Sequence, residues 1–454
     1  MVGKRVILMS KWVAILLSSY VSTKRYLSRL TVVLCLFSSN FLWADGQVAS
    51  PVLTEKIAVD IALRDNPNLA QTKERYLALA NVPSQVGSLP DPMISVNAMN
   101  LPTDSFDRRQ EAMTQIQIGV SQAFPFPGKL GLKEGAAEFD ALAARYQADE
   151  VQLQLVKQVK TYWWQLYYLD RALETSDLNK SLLKQFITVA KTKYETGAGL
   201  QQDVLLSQLE LSKLMDQVIS LKAVRRHQAI RLNILIDQPP NKRLVLPRTV
   251  QTTLHTLPNE QVLYEKAESK RPRLRQSTAQ MDAAKTRLNL AKRDYFPDFK
   301  LGVTYSDRIG DNPAFVGGSR ADFLSVMIGV KVPLYANSKQ AKAVKQKRHE
   351  LLKNRYVLAE EKTAAKGEVS SAVTDYNQAK EQFSLFGTGI VPQAQQTVKS
   401  MLAGYQVSEV DFLNLIRAQV TLFNYELQYW KALSDAKQAL AHLEAAIGED
   451  VINE

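Results

Sequence analysis

Gln115-Ile116-Gln117-Ile118-Gly119-Val120-Ser121-Gln122-Ala123-Phe124-Pro125-Phe126-Pro127-Gly128-Lys129 is the stretch whose reading decides the fold. Its first ten residues alternate: Ile116, Ile118 and Val120 point one way, Gln115, Gln117, Gly119 and Ser121 the other. That is the period of a strand with two unlike faces. Pro125 and Pro127 then end the ladder, because neither has a backbone N–H to donate. Beyond Gly128 there is no proline before Thr196, and glycine occurs only at Gly131 and Gly135. Leu153, Val156, Val159, Tyr162, Leu166 and Leu169 recur at three- and four-residue steps, the helical period. At ~1.5 Å per residue such a helix is on the order of 100 Å long. No globular core needs that length, so the pattern predicts a coiled-coil arm. Gly197-Ala198-Gly199 breaks the arm, and residues 200–236 run back as its antiparallel partner, ending before Pro239-Pro240.

The plan is written twice, with marks returning about 205 to 211 positions later. Asn66-Pro67-Asn68-Leu69 returns as Arg271-Pro272-Arg273-Leu274, and Leu89-Pro90-Asp91 as Phe296-Pro297-Asp298. Phe124-Pro125-Phe126 returns as Val332-Pro333-Leu334, and Tyr194 as Tyr405. Ser207-Gln208-Leu209-Glu210-Leu211 returns as Ala418-Gln419-Val420-Thr421-Leu422. A duplication of this length means two copies of one structural unit. In the second copy Phe299, Leu301, Val303 and Tyr305 alternate with Lys300, Gly302, Thr304 and Ser306, and Leu324, Val326, Ile328, Val330 and Val332 with Ser325, Gly329 and Lys331. Residues 93–101 are a weaker fourth strand. The first repeat is therefore expected at 45–254, with strands near 93–101 and 115–124 and a helical hairpin at 128–237. The second is expected at 255–454, with strands near 298–306 and 323–333 and a hairpin at 337–448, interrupted near Gly387, Gly389 and Pro392. The fold class is mainly α with a small β portion.

With 46% hydrophobic and 22% charged residues, the composition is that of an ordinary folded protein. Residues 1–44 read as a signal peptide: Lys24, Arg25 and Arg29 precede an apolar run ending at Trp43-Ala44. Leu42 departs from the small residue usual there, and Leu34 before Cys35 argues against lipid attachment. The segment's six basic and no acidic residues account for half of the net charge of +12, so no nucleic-acid partner is implied. After it no apolar run reaches 18 residues, so a membrane crossing would have to use strands. Each alternating segment has about the ten residues a tilted strand needs to cross a bilayer. Alternation alone favours a strand pair covering a soluble core, but the helical remainder offers such a sheet no partner layer. Four strands cannot enclose a lumen, and open edges in lipid cost several kcal/mol per unpaired group. Three copies supply twelve strands.

Other features point to packing rather than chemistry. Tyr162, Trp163, Trp164, Tyr167 and Tyr168 cover several helix faces and are expected to pack the arm. Phe124, Phe126, Tyr295, Phe296 and Tyr335 lie at strand ends and suit an interfacial belt. His227, His255, His349 and His442 have no ligand spacing, and neither a phosphate-binding glycine loop nor a nucleophile with a nearby base is present. No catalytic residue, cofactor or resident metal is expected.

With the duplication, the Phe124-Pro125-Phe126-Pro127-Gly128-Lys129 corner, its partner Val332-Pro333-Leu334-Tyr335, and Tyr194-Glu195-Thr196-Gly197 leading to Asp203-Val204-Leu205, the chain resembles the TolC-type outer membrane factors over essentially its whole mature length. The resemblance implies a homotrimer with a twelve-stranded barrel in outer-membrane lipid and a twelve-helix periplasmic tunnel. It also implies a passive duct of a tripartite efflux system, partnered by a periplasmic adaptor (membrane fusion) protein and a proton-driven inner-membrane pump. The corner looks most like the branch serving heavy-metal cation exporters, so metal cations or small toxic compounds are the expected cargo. The alternatives are a type I protein secretion duct or, in a different class, a structural coiled-coil surface protein. The turns at Gly197, Gly199, Asp203 and Ser408 are the expected adaptor-docking tips, and Pro125, Pro127, Gly128 and Pro333 the strand-to-helix corners. In the family the closed aperture lies on the returning helix of the second repeat, where two often acidic positions fall here on Asn414 and Arg417. Glu409 and Asp411 stand one turn away. They form an alternative carboxylate ring, or Asp411 pairs with Arg417, or all four line a solvated helix face.

Overall fold

The structure, a computed structural model, describes residues 52–449. The signal-peptide and Cys35 readings lie outside the described residues. The same plan occurs twice, with one more short helix before the strands in the first repeat and a divided long arm in the second. In the first repeat α1 (Glu55–Asp65), α2 (Pro67–Ala80) and α3 (Val82–Gly87) precede β1 (Met93–Met99), β2 (Gln115–Phe124), α4 (Lys129–Glu195) and α5 (Gln201–Leu235). In the second, α6 (Glu260–Lys270) and α7 (Pro272–Arg293) precede β3 (Asp298–Asp307), β4 (Phe323–Lys331), α8 (Gln340–Leu385), α9 (Val391–Gln406) and α10 (Phe412–Ile447).

The helices ahead of each strand pair were not anticipated from the sequence. Their starts are nonetheless written there. Asn66 caps α2 by accepting from Leu69 N–H at 3.1 Å, with Pro67 in the first turn where its missing N–H costs nothing. Its amide also donates to Leu235 O at 3.0 Å, stacking the start of α2 on the end of α5. Arg271 takes the equivalent place before Pro272 and donates to Glu368 of α8 at 2.6 Å. Each repeat thus sets a short helical stack alongside one long helix, and α4 runs unbroken for 67 residues. The anticipated interruption in the second arm is a π-helical turn, Phe386–Ile390, that passes directly into α9. Gly387 and Gly389 lie within that turn and Pro392 in the first turn of α9, so the rod continues.

The four strands form one antiparallel sheet in the order β1-β2-β3-β4. Its register aligns like with like: Ile94, Val120, Val303 and Val326 make one cross-strand row, and Val96, Ile118, Tyr305 and Leu324 the next. On the other face Ser95, Gly119, Thr304 and Ser325 lie side by side. The apolar face is open, with Ile94, Val326 and Ile328 each more than two-thirds exposed. A sheet covering a soluble core would have buried this face. Among the described residues no helix is long and apolar enough to cross a membrane.

The largest buried cluster lies where α1 and the segment after α5 pack on the long helices. Trp163, Trp164 and Tyr167 are buried with Leu53, Ala62, Leu232 and Leu433. Trp163 Nε1–H donates to Leu53 O at 2.9 Å and Trp164 Nε1–H to Glu55 at 3.0 Å. The aromatic run therefore packs the arm, as expected.

Candidate aperture at the helical tips

The sheet joins the rod through two unequal corners. At the first, Gly128 caps α4 with φ +85°, a conformation that a side chain disfavours. Pro125 and Pro127 flank Phe126, which stacks on Phe296 at 4.5 Å. Phe126 and Phe296 thus pair with each other, and of the suggested belt aromatics Tyr335 is the most exposed. Lys129, nearly buried, donates to Asp298 at 2.9 Å and to Phe296 O at 3.0 Å. Pro333 opens the second corner, which takes eight residues, 332–339, to reach α8. Leu334 and Tyr335 there are exposed.

At the far end both hairpins turn through a left-handed residue. Gly197 has φ +75° and its repeat counterpart Ser408 has φ +65°. Gly199 packs against Lys193, leaving no room for a Cβ. The two turns are tied together. Lys193 of α4 reaches across to the α9–α10 turn, donating to Ser408 Oγ at 2.9 Å and to Tyr405 O, and lies over the Tyr405 ring at 4.5 Å. Tyr405 O–H in turn donates to Asp203 Oδ2 of α5 at 3.2 Å, both side chains being buried. Burial raises the Asp203 carboxyl above its ordinary range, and the charge of Asp411 adds to it, against the hydrogen bond from Tyr405. Burial and then Asp203 push the Tyr405 phenol up, so it stays a neutral donor. Behind this lock Phe412 packs on Tyr405 at 5.0 Å, and Gln419 Nε2 donates to Asn179 at 2.8 Å.

Of the four turn residues expected to dock an adaptor, Asp203 and Ser408 enter one cluster with Lys193 and Tyr405, while Gly197 and Gly199 shape the turn beneath. Lys193 carries no signal in the sequence and Tyr405 only marks the repeat there; their role depends on a contact between segments some two hundred residues apart. Glu409, Asp411, Asn414 and Arg417 are all exposed. Asp411 is the N-cap residue of α10, and no ion pair joins it to Arg417 within the chain. Asn414 and Arg417 begin an exposed polar stripe continued by Thr421, Asn424 and Gln428, on the side of α10 away from buried Leu415, Leu422 and Phe423.

Residues 263–449 match the family model described as outer membrane efflux protein. No curated protein is similar enough in sequence to match. Among solved structures, the outer membrane protein VceC from Vibrio cholerae is similar at 17% identity and TM-score 0.73, covering 87% of this chain and 96% of its own. The CmeC outer membrane channel of Campylobacter jejuni is similar at 13% identity and TM-score 0.72, covering 88% of this chain and 87% of its own. CusC, described for its folding and transmembrane channel formation, is similar at 14% identity and TM-score 0.72, covering 87% and 92%. Residues 263–449 thus carry the outer membrane efflux protein pattern, and the described chain shares the fold of these solved outer-membrane channels.

Proposed function

We propose that this protein is the outer-membrane duct of a tripartite efflux system: a passive homotrimer whose twelve strands close a barrel in outer-membrane lipid and whose helices form a tunnel into the periplasm. The observation that carries the reading is the sheet, apolar and uncovered on one face, polar on the other, and unpaired at both edges. In lipid those edges must find partners, and three copies supply them without a new fold. The helices ask for the same partners. Leu205 and Ile219 on α5 are 58% and 67% exposed, whereas Ile416, 211 positions after Leu205, is 3% exposed because α10 packs within the chain. An equivalent surface buried once by its own chain and left open once calls for a neighbouring copy.

Energy and cargo selection then belong to partners: a periplasmic adaptor docking at the two tip turns and an inner-membrane pump, proton-driven. Metal cations or small toxic compounds are the cargo we favour, on the likeness of the Phe-Pro-Phe-Pro-Gly-Lys corner to the heavy-metal branch. The test is to extract outer membranes in mild detergent, run the protein heated and unheated, and record it in planar bilayers. Heat-labile trimers that conduct are expected. A soluble, non-conducting monomer would leave the coiled-coil surface protein in its place.

A further inference from the structure

Two helices of the chain begin on the ends of two others, and a cavity is left between the junctions. α2 starts on the end of α5 through the Asn66 amide, and α7 starts against the end of α10, where Gly448 packs on the Arg271 backbone with no room for a Cβ. Between these junctions, α4 and α8 lies a cavity of about 930 Å³, in the range that holds a drug-sized ligand. All of its walls come from one chain, so no second copy is needed to form it. On α4, Glu150 stands about 180° around the helix from Val159, which is buried in the cluster beneath α1.

The hydrogen bonding of this cavity is incomplete. Glu150 is 8% exposed; its Oε1 accepts from Gln154 Nε2 at 2.8 Å, and its shielded Oε2 accepts from nothing among the described residues. Arg271 is 5% exposed; one terminal nitrogen donates to Glu368 at 2.6 Å, and its shielded Nε–H donates to nothing among the described residues. Arg273, the nearby cation that would serve Glu150, turns both its Nε and a terminal nitrogen on one oxygen of Glu361, at 2.9 and 2.7 Å. A buried polar atom without a partner is destabilising, and more so when the group is charged. The duplication shows that a helix start at such a junction does not require this. Asn66, which holds the place of Arg271 in the first repeat, has both ends of its amide engaged, by Leu69 N–H and Leu235 O.

Charge gives the sign of what is missing. The walls carry the carboxylates Glu150, Asp237, Glu361 and Glu368 against Lys157, Arg271 and Arg273, which leaves them one positive charge short. The helix ends do not alter that balance, because each positive start is laid on a negative end. Among the described residues no group of three or more His, Cys, Asp or Glu is placed to hold a metal ion. A bare cation would also leave the Arg271 Nε–H without an acceptor.

We propose that this cavity binds a small amine carrying a single positive charge and a neighbouring hydroxyl or carbonyl oxygen. The ammonium donates to Glu150 Oε2 and completes the charge balance, and the oxygen accepts from the Arg271 Nε–H. An anion is opposed by Glu150, a zwitterion leaves the walls one charge short, and a simple alkylamine leaves Arg271 unanswered. On the duct reading above, the site is a holding point for cargo of this class in the channel protein; the binding itself does not rest on that reading.

The experiment uses the full chain, purified in mild detergent, with glucosamine as the probe, a monocationic amine flanked by hydroxyls. Equilibrium dialysis is expected to find one saturable site per chain. N-acetylglucosamine, which keeps the hydroxyls and loses the charge, and n-butylamine, which keeps the charge and loses the hydroxyls, are each expected to bind at least about tenfold more weakly, the worth of one charge-assisted hydrogen bond. Glu150→Gln is expected to weaken glucosamine by a similar factor, and Glu74→Gln, at an exposed carboxylate of α2, to leave it unchanged. No saturable binding to the parent means that the cavity holds water alone and overturns the proposal. Equal binding of N-acetylglucosamine, or equal loss in Glu150→Gln and Glu74→Gln, also overturns it, and equal binding of n-butylamine removes the part assigned to Arg271. If Glu150→Gln does not fold, the three probes on the parent decide. A conducting trimer that fails to bind glucosamine overturns this site and leaves the duct standing.

Discussion

Replacing Tyr405 with phenylalanine is expected to loosen the tip while leaving the fold intact. The change removes one oxygen, the one that donates to buried Asp203 across the two hairpins at 3.2 Å. A hydrogen bond to a charged group contributes about 1.5–3 kcal/mol, and this one, longer than the usual O–H···O range, belongs at or below the lower figure. Since ~1.4 kcal/mol is a factor of ten, the balance between locked and released hairpins should move about tenfold per protomer. If three protomers release together the factors multiply. Single-channel recording should show a larger open fraction, whereas Tyr194→Phe, at the exposed counterpart position, should behave as the parent. Acidity gives a second readout. The Asp203 carboxyl is raised in the locked tip, chiefly by burial, so the locked state binds the proton more tightly than the released one. The lock is therefore firmest below the ordinary carboxylate value and weakens as pH climbs through the raised one. In Tyr405→Phe the bond that favours the ionised form is gone, so the raised value climbs and the weakening extends to higher pH. An open fraction identical to the parent's at every pH would refute the view that this contact holds the hairpins together.

Val326→Arg should reduce trimer yield more than Ser325→Arg, because Val326 lies in the outer apolar row, where a charge near mid-bilayer costs about 2–4 kcal/mol, and Ser325 lies on the polar face; equal yields would contradict the alternation. Replacing both Glu409 and Asp411 with alanine should abolish block by multivalent cations added from the tip side, with Asn414→Ala doing less because it removes no charge. Arg417→Ala should increase cation preference without raising resting conductance, since no ion pair ties Arg417 to Asp411 within the chain; raised conductance would reveal a latch to a neighbouring copy. A tag inserted at Gly317, in the loop between β3 and β4, should be labelled on intact cells, and an unlabelled trimer would reverse the orientation.

The strands were legible because each presents a different chemistry on its two faces, and the period of two survives even with Gln122 in the apolar row. The long hairpins were legible from the absence of proline. The helices before the strands were not, because Pro67 and Pro272 serve in the sequence only as marks of the repeat; the Asn66 cap is what shows that Pro67 begins a helix, and Arg271 offers no such cap. Gly387, Gly389 and Pro392 misled in the same direction, since a π-turn absorbs them without ending the rod. At the tip the turn residues were visible, but the lock joins Lys193 and Asp203 to Tyr405 and Ser408. No local pattern brings those four together.

The two repeats keep one backbone plan and divide the chemistry between them. Asp203 of the first repeat is buried against Tyr405 of the second, and 211 positions on from Asp203 stands Asn414, exposed. Tyr405 is buried, while Tyr194, 211 positions before it, is open. A buried carboxylate is tolerable where its donor arrives in the same chain, because folding supplies both at once. At a surface that waits for another copy, the same carboxylate would lose its water on assembly and depend wholly on the neighbour's aim. Asparagine there keeps hydrogen-bonding capacity without a charge to desolvate. On the trimeric reading proposed above, the lock formed in folding is thus the charged one, and the equivalent position left for assembly is neutral.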